Sequence, residues 1–91
     1  MIYLVFKQRE FTILIFLYVN VYPNPTSGLI RLDGINTAYL ATIYNTGGKL
    51  VFSKHCETDN QLDIQQLTKG IYYLQIKTND HKVVYKKVIR Q

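Results

Sequence analysis

The sequence predicts an all-β chain folded as an antiparallel sandwich, and three observations lead there. Hydrophobic residues make up 47% and charged residues 19%, with eight tyrosines, four phenylalanines and no tryptophan. That composition suits half-buried pleated surfaces, because aromatic and β-branched side chains favour strands. From Val19 onward, apolar-rich runs alternate with turn signals built from Asn, Asp, Gly and Pro. No amphipathic stretch of helical length separates the runs, which removes the crossover helices that a parallel sheet requires. At 91 residues the chain holds one sandwich domain. A domain of this size buries only about 60% of the surface its unfolded chain exposes, and it leaves no room for a catalytic cleft.

Residues 1–19 differ from the rest, with an apolar run, the charged Lys7-Gln8-Arg9-Glu10, and a second apolar run from Phe11 to Val19. As a helix the second run would span about 14 Å, against the roughly 30 Å of a hydrocarbon core, so it is no transmembrane segment and no stable membrane insertion is expected. A signal peptide would use Lys7 and Arg9 as its basic part, but Glu10 intrudes and no small-residue cleavage site precedes Pro23. The expectation for 1–19 is an apolar extension, a cargo remnant or a signal-like segment. Ile13, Leu14, Ile15 and Phe16 fit a strand or a short apolar helix equally well. Beyond them, strands are predicted over 19–22, 29–32, 39–44, 49–53, 61–64, 70–77 and 82–90. Pro23 and Pro25 hold Tyr22 and Asn24 extended and make the first connection a stiff corner. Asp33-Gly34, Asn45-Thr46-Gly47-Gly48 and Thr78-Asn79-Asp80-His81 read as short hairpin reversals, with positive φ expected at both Gly47 and Gly48.

Within the strand at 70–77, Tyr72, Leu74 and Ile76 share one face and Tyr73, Gln75 and Lys77 the other, and the first set is assigned to the core. Leu67, Gly70 and Tyr72 are similar to a tyrosine corner, in which a tyrosine near a strand's start turns its hydroxyl onto upstream backbone. The glycines at 47 and 48 belong to no GxxxxGK[ST] pattern and precede no helix, so they hold no phosphate. Cys56 is the one cysteine, which excludes an internal disulfide. His55, Cys56, Glu57 and Asp59 lack metal-ligand spacing, since adjacent strand residues point to opposite faces. Asp33, Asp59, Asp63 and Asp80 fall in separate turns and strands, and no Ser/His/Asp or Cys/His arrangement has context. The reading is of a chain with no enzyme activity, no metal and no cofactor. The formal charge of +5 permits an acidic partner, but the basic residues accompany no nucleic-acid motif, so nucleic acid is not expected. Lys82, Lys86, Lys87 and Arg90 crowd the last strand, where lysines commonly protect a sheet edge.

Four stretches in order, Pro23-Asn24-Pro25-Thr26-Ser27-Gly28, Ile43-Tyr44-Asn45-Thr46-Gly47-Gly48-Lys49-Leu50-Val51, Leu67-Thr68-Lys69-Gly70-Ile71-Tyr72-Tyr73-Leu74 and Lys86-Lys87-Val88-Ile89, resemble the C-terminal sorting domain of the type IX (Por) secretion system. The resemblance covers Val19 to Gln91, and the sorting domain is placed at 20–91, after an N-terminal extension over 1–19. It implies a β-sandwich that takes a cargo, normally N-terminal and nearly absent here, across the outer membrane of Bacteroidota to the surface or medium. It also implies docking on an outer-membrane translocon and removal by a sortase-like peptidase. The sorting-motif residues are then Pro23, Asn24, Pro25, Gly28, Gly47, Gly48, Gly70, Tyr72, Lys86, Lys87, Val88 and Ile89, acting in recognition or in the fold. Taken together, the expectation is a seven-stranded antiparallel immunoglobulin-like β-sandwich acting as a secretion signal. A free-standing adhesion or glycan-binding sandwich is the alternative.

Overall fold

The computed structural model describes residues 2–8, 11–17 and 19–91, with side chains from Val19 onward. Strands β1 (Ile2–Gln8) and β2 (Phe11–Leu17) pair antiparallel, from Ile2 opposite Leu17 to Gln8 opposite Phe11. The stretch 13–16 is therefore strand, the pairing supplying what periodicity left open. Seven further strands follow: β3 (Asn20–Tyr22), β4 (Leu29–Asp33), β5 (Tyr39–Asn45), β6 (Leu50–Cys56), β7 (Gln61–Asp63), β8 (Gly70–Thr78) and β9 (Val83–Arg90). They form a three-stranded sheet in the order β3-β4-β7 and a four-stranded sheet in the order β6-β5-β8-β9, every pair antiparallel. This is an immunoglobulin-like sandwich, with β9 as an edge strand.

Period-two alternation builds the core. Ile30 and Leu32 of β4 and Leu62 of β7 are fully buried, as are Ala41 and Ile43 of β5, Leu74 and Ile76 of β8, and Val84 and Val88 of β9. Their neighbours along each strand face outward, so each sheet contributes one apolar face. Full burial of one such side chain is worth about 1.5 to 3 kcal/mol. Val19, ahead of β3, and Ile64, after β7, complete the packing. Tyr39 is also buried and donates its hydroxyl to the Asp59 carbonyl at 3.0 Å. Burial, and then its neighbour Cys56, raise its phenol above the ordinary tyrosine range. Cys56 closes β6 in the core opposite Tyr39, so that strand runs three residues past its predicted end at 53.

Two turn expectations are corrected. Asp33-Gly34 is no hairpin: β4 already has β3 on one side and β7 on the other, so the chain has no edge to fold back on and crosses to the second sheet. In the turn after β5 only Gly48 has positive φ, at 83°. There the Asn45 side chain replaces a second special residue, accepting from Gly47 N–H at 3.0 Å and Lys49 N–H at 2.9 Å. Among the described residues, no helix is long and apolar enough to cross a membrane.

Candidate functional site

The edge of β9 is partly closed by the proline corner. Pro23 and Pro25 have no N–H and cannot extend a ladder, and the Asn24 side chain supplies what their backbone lacks. Its Nδ2 donates to the Lys87 carbonyl at 2.7 Å, and its Oδ1 accepts from Ile89 N–H at 3.0 Å. Thr26 continues as a single parallel bridge to Arg90, donating its N–H to the Ile89 carbonyl at 2.8 Å and accepting from Gln91 N–H at 2.9 Å. Fully buried, Thr26 also donates its hydroxyl to the Leu29 carbonyl and accepts from Gly28 N–H, each at 3.0 Å. Gly28 has φ 136°, and a Cβ there would lie 2.4 Å from Gln65 Cγ and 3.0 Å from Gln65 Cα. Only glycine fits that approach.

The other motifs lie beside this clamp. In register, Asn45 of β5 stands opposite Tyr72 of β8, which stands opposite Val88 of β9, and Gly70 stands opposite Arg90. Tyr72 donates its hydroxyl to the Thr68 carbonyl at 2.7 Å, closing a tyrosine corner at the start of the sixth sandwich strand. A groove lined by Asn45, Thr46, Val51, Thr68, Lys69 and Tyr72 joins the second motif to the third. The first motif is bonded to the fourth through Asn24 and Thr26. Motifs spread from residue 23 to residue 89 thus meet at one end of the sandwich. Residues 20–91 match the family model of the secretion system C-terminal sorting domain. The chain belongs to that family.

In structure, the sorting domain is similar to PorZ of Porphyromonas gingivalis, described as an essential bacterial surface component of the type-IX secretion system. The TM-score is 0.63 at 17% identity, over 80% of this chain and 11% of that one. The chain thus spans about a tenth of that protein's length, and at this identity the likeness concerns the fold. No curated protein matches the chain.

Burial divides the motif residues of the sorting domain. Gly28, Tyr72 and Val88 are buried, and Ile89 is half-buried. Pro23, Asn24, Pro25, Gly47, Gly48, Gly70 and Lys87 are exposed. Lys86 and Lys87 do not form one basic patch. Lys87 lies on the outer face, opposite Tyr73, whereas Lys86 alternates with Val84 and Val88 on the inner side, half-buried and opposite Leu74.

Sequence reasoning missed a row across the outer face of the four-stranded sheet. Leu50, Tyr44, Tyr73 and Lys87 stand side by side in register, with Leu50 50% and Tyr73 46% exposed. In the next row the Thr42 hydroxyl donates to Gln75 Oε1 at 3.1 Å, and Gln75 Nε2 donates to the Tyr85 hydroxyl at 3.0 Å. The signal was available in the alternation of β8 and β9, which turns Tyr73 and Tyr85 outward. Among the described residues no three of His, Cys, Asp and Glu are grouped to hold a metal ion.

Proposed function

We propose that this sorting domain directs a cargo joined ahead of it across the outer membrane, docking on the type IX translocon through the end of the sandwich where its four motifs meet. A sortase-like peptidase then cuts ahead of the domain and leaves the cargo at the surface or in the medium. The observation that carries this reading is the convergence itself: Pro23, Asn24, Pro25, Gly47, Gly48, Gly70 and Lys87 are exposed at or beside that end. The role is binding, and the domain must be folded to perform it. The partners of Asn24 are on β9, so its side chain is fixed only after the last strand has joined the sheet.

The experiment is a fusion of an exported reporter ahead of Val19, which the core requires, expressed in a host with and without a working type IX system. The reporter should reach the surface or medium only in the competent host. Retention of the intact, folded fusion in the periplasm of that host would show that the domain is not a sufficient signal.

The outer-face tyrosines, with Tyr73 and Tyr85 exposed and Tyr44 half-buried, support a second reading as an adhesion or glycan-binding module, since exposed aromatic rings present flat apolar surface with a polar tip. Retention of the isolated domain on polysaccharide resins, lost in Tyr73→Ala, would favour it.

A further inference from the structure

The outer edge of β9 is hydrogen-bonded over only part of its length. The Lys87 carbonyl, both backbone groups of Ile89 and the Gln91 N–H are taken by Asn24 and Thr26. Residues of this parity therefore point their backbone groups away from β8, because a residue in an antiparallel pair exchanges both bonds with one neighbour or neither. The same two-residue period turns the N–H and C=O of Val83 and Tyr85 outward. Among the described strands β9 has β8 as its one neighbour, so those four groups and the Lys87 N–H face no ladder partner. The clamp stops short of them because the chain leaves this edge at Tyr22, which pairs with Arg31 in the other sheet.

The side chains along this open run select what fits it. Lys82 is paired with Asp80 at 3.2 Å, and Arg90 donates to the carbonyls of Gln65 and Gln91. Lys86 and Lys87 meet no carboxylate among the described residues. Because they lie on opposite faces, a strand added here has a lysine beside each of its faces. A second copy of β9 would bring the same lysines and be repelled, since like charges opposite each other oppose pairing, whereas carboxylates would be drawn in. Tyr85, 62% exposed and on the same face as Lys87, adds an aromatic surface for a β-branched or aromatic neighbour.

We infer that residues 83–87 form a strand-addition site for an extended acidic segment of another protein, bound through the backbone groups of Val83, Tyr85 and Lys87, with its carboxylates beside Lys86 and Lys87. Main-chain bonding of this kind supplies affinity, and the lysines select the sequence. The inference goes beyond the sorting role and stands on the open edge alone.

The test uses the whole chain and three labelled probes in fluorescence anisotropy: an alternating glutamate–valine peptide of about seven residues, the same peptide with lysine for glutamate, and the glutamate peptide N-methylated at alternate amides. The glutamate peptide should bind at least about tenfold more tightly than either control. It should also shift the amide resonances of Val83, Tyr85 and Lys87 and not those of β6. Tyr85→Pro removes one outward N–H at an edge position that tolerates proline and should weaken binding about tenfold. If that variant fails to fold, Lys86→Glu with Lys87→Glu serves instead, and should reverse the preference toward the lysine peptide. Equal binding of the three probes, no binding, or shifts confined to β6 would overturn the proposal. So would a concentration-dependent dimer that the glutamate peptide disperses, because the occupant would then be a second copy.

Discussion

Tyr72 shows how one side chain serves the fold while belonging to a sorting motif. It is 6% exposed and its hydroxyl donates to the Thr68 carbonyl at 2.7 Å, so it ties the loop before β8 to the strand it begins. Tyr72→Ala should cost about 3 to 5 kcal/mol, which is comparable with the whole stability of a small domain. Tyr72→Phe keeps the ring and should cost only about 0.5 to 1.5 kcal/mol for the lost hydrogen bond. Thermal unfolding of both variants checks this, and equal melting temperatures would mean that the ring contributes nothing. The facing of Tyr72 was legible in the sequence because β8 alternates cleanly, with Tyr72, Leu74 and Ile76 inward and Tyr73 outward. Gly28 was legible only as a turn residue. The need for glycine there comes from Gln65, a contact between residues far apart in sequence that no local pattern encodes.

At the scale of elements, the seven sandwich strands were legible because apolar runs and turn residues repeat along the chain, and the errors fell where pairing decides. Asp33-Gly34 has hairpin composition, yet β4 is a central strand and offers no free edge. The function of Asn24 was not legible, since its partners, Lys87 and Ile89, lie more than sixty residues away. Asn24→Ala removes both side-chain bonds to β9. The positions are exposed and water replaces part of the loss, so the expected cost is about 1 kcal/mol. The effect should also be local. Amide hydrogen exchange should speed up at Ile89, which loses its acceptor, and stay unchanged at Leu74 in the centre of β8. Uniform acceleration at both amides would mean that Asn24 supports the whole sandwich rather than the end of one strand.

At the scale of the whole molecule, one strand contributes both to the core and to the end of the sandwich where the four motifs meet. Val88 is fully buried while Lys87 beside it is exposed, and Asn24, in the corner after β3, bonds the backbone of Lys87 and Ile89 on either side of Val88. Lys86→Ala with Lys87→Ala separates the two contributions. Lys87 is a surface residue, and Lys86 lies half-buried on the inner side between Val84 and Val88, and truncating a half-buried lysine loses packing by its stem as well as charge. The stability change should therefore stay within about 1 kcal/mol in total, most of it from Lys86. Charged rims act chiefly on the rate of encounter, so if the translocon reads this strand, secretion of a reporter fusion should fall while the melting curve of the domain barely moves. Lys87→Ala alone should reproduce most of the secretion loss with almost none of the stability change, because it carries charge on the outer face and packs on nothing in the core. Full secretion by the double variant, with parental stability, would leave both lysines as edge protection. Docking would then rest on the exposed corner of Pro23, Asn24 and Pro25, with the turn at Gly47 and Gly48.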